Sequence, residues 1–519
     1  MNNEVNRTKA ASLNASTMVV TQMISLVLKF AVQTAFIHQL SQNYLGLNGL
    51  FSNVISFLSF ADLGIGTAIT VALYKPIADG DVGQLRALIQ LYRKAYRVII
   101  IVMCIVGIVV SPFIHFFIKG SVFSNFEIIT WFLIYFISTI ATYFSAYKRS
   151  FLMATQLGYL NTINDFVFKS IQQGLQLIAI AYFHSFVSFL LMQALAAVAG
   201  NWQLSHLANR RFPKIFTNQS GEQLVKVSSD VLKYVKKNIV GAISSKIGSI
   251  VVFGTDNLIL SAFVGLTAVA KYSNYTLIIQ SVNSLFAQVI SSFVSSIGNL
   301  HATVSPKRQE EVLLRLLYLN TLINLFVSVG LSFALNIFIQ IWAGKSYVLS
   351  SVTVVAIVIN YSATQSRCVI QNFISGMGLY WSLRWKSLIE AVVNLIISLF
   401  FVLGLHLGIL GVVLGTLGST ITVNLLWEPY IVYHDGLKLK MHKYLLKYAL
   451  YELFIIVVIV LMMYVSQFVA GIGIFNLVFY TIFAEAFAFI LFVLLTFRLP
   501  EFTYLVQLVG SLKAKIFKK

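Results

Sequence analysis

Four polar side chains lie on one face of the first long apolar segment. Gln22, Ser25, Lys29 and Gln33 follow one another at intervals of three, four and four residues, and a helix of about 3.6 residues per turn places such positions on one side. A polar stripe of this length should face water or protein rather than lipid. The pattern predicts a face that lines a wet cavity. The alternative is a face packed on a neighbouring helix, with Lys29 reaching toward a segment end.

A second polar stripe lies in the fifth apolar segment. Asn161, Asp165, Lys169, Gln172 and Gln176 share one helical face. Asp165 and Lys169 are four residues apart with the acid first, so they also fit a structural ion pair that neutralises itself. Both interpretations, a polar face and a structural ion pair, stay open. Asp165 and Lys169 are both candidates for a site.

Three more ionisable residues lie deep in apolar segments. Lys246 and Asp256 are ten residues apart, so on a helix they are separated by about 15 Å and fit opposite mouths of one cavity or separate structural roles. Asp62 is followed by Gly64 and Gly66, which allow a bend or a close backbone approach. Its alternative role is a hydrogen-bond acceptor that fixes this bend.

Two further cations, Lys271 and Arg367, lie near predicted helix ends, where a long side chain reaches water at low cost. The sequence has no HExxH pattern and no Walker loop, and Asp79 and Asp81 fit a solvated turn better than a metal site. We therefore predict that the protein is not an enzyme and has no cofactor or metal.

The composition shows which elements must position these residues. Of 519 residues, 58% are hydrophobic and 10% charged, with a mean hydropathy of +0.84, whereas soluble domains are about 25% charged. Spanning helices need about 20 apolar residues, and about fourteen such windows follow one another, from 16–38 to 474–497. The sequence thus predicts an all-α polytopic membrane protein. Two cysteines exclude a disulfide framework.

The basic residues predict the orientation in the membrane. The net charge is +20, and if the spans alternate from a cytoplasmic N-terminus, only Lys119 and Lys345 lie in outside connections. Both termini are therefore predicted in the cytoplasm. The charge needs no nucleic acid as a partner, because basic cytoplasmic loops explain it. The first apolar segment has no cleavage pattern and is predicted to be retained.

A long basic interruption predicts the domain organisation. The predicted parts are a six-helix lobe at 1–206, a cytoplasmic linker at 207–237, a second six-helix lobe at 238–433, and a basic loop, two extra helices and a basic tail at 434–519. Because each lobe has an even number of helices, the lobes are predicted to be parallel pseudo-repeats. The corners at 44–57 and 268–286, both rich in Ser and Asn, support this.

One stretch resembles a known family. Residues 40–81 read LSQNYLGLNGLFSNVISFLSFADLGIGTAITVALYKPIADGD, which resembles the N-terminal region of bacterial polysaccharide repeat-unit flippases, the Wzx-like polysaccharide transport family of the MOP flippase superfamily. The resemblance implies the MOP flippase fold, with two six-helix lobes around a cavity built by helices 1, 2, 7 and 8 that opens alternately to each side. It also implies a multi-pass protein of the bacterial cytoplasmic membrane.

The resemblance further implies a substrate and its partners. The substrate would be an undecaprenyl-pyrophosphate-linked oligosaccharide, flipped from the inner to the outer leaflet for capsule, exopolysaccharide or O-antigen assembly, with membrane lipids, the polysaccharide polymerase and other assembly proteins as partners. The predicted headgroup-binding residues are Lys29, Lys246, Lys271, Lys169, Arg367, Gln22 and Gln33. The predicted residues for gating or for H⁺ or Na⁺ coupling are Asp62, Asp256 and Asp165.

Two other classes of function make different predictions. A multidrug or metabolite/cation antiporter of the same superfamily needs an acidic, aromatic cavity, whereas helices 1, 7 and 8 carry three lysines and one aspartate. A membrane-embedded glycan polymerase or glycosyltransferase needs a large catalytic loop, which the short connections between apolar windows do not provide. A scaffolding protein would not need buried charges.

Overall fold

The computed structural model describes most of the chain. The described residues are 2–59, 73, 76–77, 79–120, 122–155, 157–216, 255–291, 297, 300, 304–469 and 473–516. Asp62 and Lys246 lie outside these residues, as do most of the predicted linker and the first part of the seventh apolar window. All of the regular secondary structure in the described ranges is helical.

The chain divides into two compact units, Met1–Ala270 and Lys271–Lys519. The helices of the first unit are α1 (Asn2–Gln39), α2 (Gln42–Leu58), α3 (Val82–Val110), α4 (Asn125–Tyr143), α5 (Ala146–Ala154), α6 (Gly158–Phe183), α7 (Phe186–Arg211), α8 (Pro213–Phe216) and α9 (Thr255–Val264). A helix that begins in this unit and continues into the next is α10 (Leu266–Ser291).

The first unit is built around α6 and α7, which pack along each other. Helix α1 lies against α6, and α4 lies against α7. Two polar residues start helices here: the Asp81 carboxylate accepts a hydrogen bond from the backbone N–H of Gln84 at 2.8 Å, and Ser124 and Glu127 form a capping box. Asp81 therefore caps the N-terminus of α3 from the turn that precedes this helix.

The second unit is built around its longest helix. Its helices are α11 (Pro306–Trp342), α12 (Ser351–Ser366), α13 (Cys368–Gly376), α14 (Lys386–Gly404), α15 (Ile409–Leu437), α16 (His442–Ser466), α17 (Ile474–Thr496) and α18 (Pro500–Ile516). Helix α11 contacts α12, α16 and α17, and its buried residues lie along much of its length.

Eight helices in the described part of the chain are long and apolar enough to cross a membrane. This confirms the predicted all-α, multi-pass membrane architecture. Within the predicted window 347–373 the helix is interrupted at Arg367, between α12 and α13. The interruption lies where the Arg367 side chain meets a buried carboxylate, a tertiary contact that apolar length alone does not reveal.

Candidate functional site

A polar cavity of about 450 Å³ lies inside the first unit, between α2, α4, α6 and α7. Its walls carry two basic side chains and one acidic side chain among many hydroxyl and amide groups. The polar residues that line this polar cavity are Ser52, Ser56, Tyr135, Ser138, Thr139, Thr142, Arg149, Asn164, Asp165, Lys169, Gln172, Gln193 and Asn201.

The predicted stripe on α6 forms one wall of the polar cavity. Asp165, Lys169 and Gln172 all line it, as expected for residues that share a helical face. The ends of the stripe do not reach it: Asn161 donates a hydrogen bond to the backbone carbonyl of Arg149 at 3.1 Å. Small residues on α7 make room for the cavity. Gly200 is one of the small lining residues, and a Cβ there would come within 2.8 Å of the Phe168 ring, so glycine lets this ring pack against α7.

Arg149 is the central charge of the polar cavity, and the sequence analysis missed it. Its Nη1 atom is 2.8 Å from one carboxylate oxygen of Asp165 and 3.0 Å from the other, and its Nη2 donates to Asn201 Oδ1 at 3.2 Å. Asp165 therefore pairs with Arg149 and not with Lys169, which corrects the predicted i,i+4 pair. The Nε of Arg149 is buried without a hydrogen-bond partner in the described structure.

Because Asp165 pairs with Arg149, Lys169 has no counter-ion among the described residues. The like charges of Lys169 and of Lys29, on the adjacent helix α1, repel each other. Gln22 and Gln33 are half-buried on the same helix as Lys29. The polar cavity and its surroundings therefore carry excess positive charge, which attracts anions.

The structure does not bring all of the predicted residues to this place. Asp256 is buried on α9 and Lys271 is half-buried on α10, and neither lines the polar cavity. Their predicted roles in headgroup binding and ion coupling stay predictions, as do those of Lys246 and Asp62, which lie outside the described residues.

Arg367 belongs to a buried ion network in the second unit. Its Nε is 3.0 Å and its Nη2 2.6 Å from the two carboxylate oxygens of Glu428, so the pair is bidentate. Lys386 lies 2.9 Å from both Glu390 and Glu428, and Asn424 donates to Glu390 at 2.6 Å. Arg367 thus does not reach toward water from a helix end, and we leave it out of the binding site.

The sequence signals only part of this network, because Lys386 and Glu390 are four residues apart and lie on one face of a helix. Glu428 and Lys386 are separated from Arg367 by 61 and 19 positions, so no helical spacing relates them. Arg149 lies in a short connection between two predicted spans, where a solvated basic residue is expected. Its position just before an apolar window that contains an acid, Asp165, is the one feature that could have identified it.

The helices and the cationic polar cavity define a multi-pass helical membrane protein with a polar, positively charged cavity. The structure is similar to that of the lipid II flippase MurJ in an inward closed conformation, with a TM-score of 0.67, 13% identity, and coverage of 92% of this chain and 99% of that chain. It is also similar to an inward-facing multidrug resistance MATE family transporter of the MOP superfamily, with a TM-score of 0.61, 14% identity, and coverage of 82% and 99%.

A third similar structure is the MATE transporter VcmN of Vibrio cholerae, with a TM-score of 0.51, 18% identity, and coverage of 83% of this chain and 98% of that chain. No protein-family model and no curated protein sequence matches the chain. The similarity therefore establishes the fold, which this chain shares with MurJ and the MATE transporters.

Proposed function

We propose that this protein flips an undecaprenyl-pyrophosphate-linked oligosaccharide from the inner to the outer leaflet of the bacterial cytoplasmic membrane, by alternating access, for capsule, exopolysaccharide or O-antigen assembly. The observation that carries the proposal is the polar cavity, which is lined by Arg149 and by Lys169, a cation with no carboxylate partner among the described residues. The fold shared with a lipid II flippase supports the same conclusion.

The chemistry of the polar cavity fits such a headgroup. A diphosphate that leaves water loses a large hydration free energy unless cations and hydrogen-bond donors replace the water. Lys169 supplies a cationic donor, and Arg149, although paired with Asp165, keeps an Nε–H without a partner in the described structure. The hydroxyl and amide groups of the walls match the donors and acceptors of sugar rings. The lipid tail stays in the bilayer, where its transfer to water would be unfavourable.

A drug or cation antiporter fits the polar cavity less well. A cationic substrate requires a carboxylate that is available to it, and the carboxylate of Asp165 is already engaged by Arg149. The remaining charge at the site is positive, so it would repel a cationic compound.

The test is a deletion strain complemented with variants. We expect the deletion to accumulate undecaprenyl-linked oligosaccharide on the cytoplasmic face, and wild type to restore export. Lys169→Ala should weaken headgroup binding by roughly 10- to 100-fold, because a charge-assisted hydrogen bond contributes about 1.5–3 kcal/mol. Lys94→Ala removes an exposed cation outside the polar cavity and is the matched control.

The opposite result has a clear form. If the lipid-linked intermediates stay normal in the deletion strain and the cells become sensitive to cationic compounds instead, the antiporter replaces the flippase as the function. Lys29→Ala, on the neighbouring helix α1, provides a second variant, and insertion of each variant is checked by its membrane abundance.

A further inference from the structure

An apolar groove of about 570 Å³ opens on the surface of the first unit, between α3, α4 and α7. Ile137, Phe144, Val198 and Trp202 line this apolar groove and remain largely exposed. In a spanning helix such exposed apolar side chains face lipid chains. The volume lies within the range of pockets that hold drug-sized ligands, about 300–1,000 Å³.

The apolar groove and the polar cavity meet at one side chain. Asn201 lines both. Its Oδ1 accepts hydrogen bonds from Ser145, a residue of the apolar groove, at 2.6 Å and from Arg149, a residue of the polar cavity, at 3.2 Å. The side-chain amide of Asn201 therefore lies between the apolar groove and the guanidinium group of Arg149.

A second cation lies at the same end of the apolar groove. Lys148 is buried, and its ammonium group donates to Ser205, which lines the groove, and to Asn209 at 2.8 Å. Helix α5 thus brings two consecutive basic residues, Lys148 and Arg149, to this end. Two cations complement a diphosphate better than the single phosphate of a common phospholipid.

We propose that the apolar groove binds the part of the isoprenoid chain next to the diphosphate, with the diphosphate at the Arg149 end. The inference rests on the proposed function and adds the binding place of the lipid tail. The predicted topology places the connection between α4 and α6 in the cytoplasm, so the substrate would load sideways from the inner leaflet. The groove and the polar cavity together form one amphipathic site.

The experiment uses the full-length protein in nanodiscs and undecaprenyl diphosphate with a diazirine in the isoprene units next to the diphosphate. Light-induced crosslinks are mapped by mass spectrometry, and retention of the unmodified lipid is measured in parallel by native mass spectrometry. We expect crosslinks on α4 and α7. Excess unlabelled undecaprenyl diphosphate should compete for the crosslink, whereas excess phosphatidylglycerol should not.

Two matched variants on α7 test the location. Val198→Trp fills the apolar groove and should reduce crosslinking at least ten-fold. Leu195→Trp places the same ring one turn away, at an exposed position outside the groove, and should leave crosslinking unchanged. Phe144→Ala, which removes a wall of the groove without adding bulk, should also reduce crosslinking, so the result does not depend on one substitution.

The possible failures are distinguishable. Equal competition by phosphatidylglycerol, or crosslinks elsewhere while undecaprenyl diphosphate is retained, would overturn the tail site and leave the proposed function intact. Failure of the wild-type protein to retain undecaprenyl diphosphate at all would overturn the proposed function and the tail site with it.

Discussion

At the scale of single residues, the charge of Lys169 is expected to lower the stability of the protein and to favour the binding of an anion. Its ammonium group has no described carboxylate partner, and its charge repels that of Lys29 on the adjacent helix α1. Two neighbouring like charges destabilise the empty protein, and an anion that binds between them removes the repulsion. A residue retained for binding is therefore expected to oppose stability.

Lys169→Gln is expected to be more stable than the wild-type protein and to bind the substrate less tightly. Removing one cation should raise the thermal stability of the purified protein, by up to about 1 kcal/mol for a partly exposed charge, while it weakens binding of undecaprenyl diphosphate. Both quantities are measured on one preparation, by thermal unfolding and by native mass spectrometry. Lys94→Gln, far from the polar cavity, should change neither. A fall in both stability and binding would identify Lys169 as structural.

Arg149 should not be replaceable by lysine. Its planar guanidinium contacts Asp165 and Asn201 at once, whereas an ammonium group on a flexible stem does not reproduce this fork. We expect Arg149→Lys to lower the free energy of unfolding by about 1–3 kcal/mol. In a double-mutant cycle with Asp165→Asn the two effects should be clearly non-additive; additive effects would mean that the pair is not coupled.

The same residues show what the sequence can predict about the site. The side of α6 that lines the polar cavity follows from helical periodicity, because Asp165, Lys169 and Gln172 share a face in any straight helix. The partner of Asp165 does not follow from it. Arg149 reaches Asp165 only because α5 places its guanidinium beside α6, and that placement is a tertiary property.

At the scale of helices, the buried ion network holds three elements of the second unit together. Arg367 precedes α13, Lys386 begins α14, and Glu428 lies on α15. Arg367→Met should destabilise the protein by about 3–5 kcal/mol, because it leaves part of the buried charge of Glu428 unpaired.

A second substitution should restore part of this loss. In Arg367→Met with Glu428→Met both charges of the bidentate pair are gone, and Lys386 keeps Glu390 at 2.9 Å. The double variant is therefore expected to unfold at a higher temperature than Arg367→Met alone. If the double variant is the less stable one, the network is not a coupled unit.

The corner that starts α2 provides another prediction about helix packing. A Cβ at Gly46 would lie 2.1 Å from the backbone carbonyl oxygen of Leu266, an atom that cannot swing away. We expect Gly46→Ala to cost at least about 1–3 kcal/mol, as overpacking does. Gly174→Ala on α6 is the control, since nothing lies within 4 Å of its Cβ position and alanine favours a helix by about 1 kcal/mol. Thermal unfolding of the two variants should shift in opposite directions.

The corners also show why some elements were predictable. The similar stretches at 44–57 and 268–286 both follow a tight junction between helices, one between α1 and α2 and one between α9 and α10. Turn residues and apolar periodicity act locally, so the sequence reveals them. Contacts such as that of Gly46 with Leu266 join residues far apart in sequence, and no local pattern encodes them.

At the scale of the whole molecule, composition alone predicts the multi-pass helical fold. A bilayer leaves few alternatives to the helix, because each backbone group must find its partner within its own segment. What hydropathy does not predict is the interruption of a span, since a window of apolar residues reads the same whether or not Arg367 breaks the helix. Hydropathy and fold do not identify the substrate either, because MurJ and MATE transporters share this fold.

Under the proposed function, the direction in which charge crosses the membrane separates an anionic from a cationic substrate. Moving one negative charge from a negative interior to the outside is favoured by about 2.3 kcal/mol at 100 mV, or about fifty-fold in the equilibrium ratio. Proteoliposomes with an imposed interior-negative potential should therefore export an anionic lipid-linked substrate faster than proteoliposomes without a potential. Reversal of the potential should slow export. Asp256→Asn, which removes a candidate carboxylate for H⁺ or Na⁺ coupling, should keep this dependence on potential while it loses any dependence on an imposed ion gradient. If export is indifferent to the potential, or is faster when the interior is positive, the transported species is not an anion moving outward.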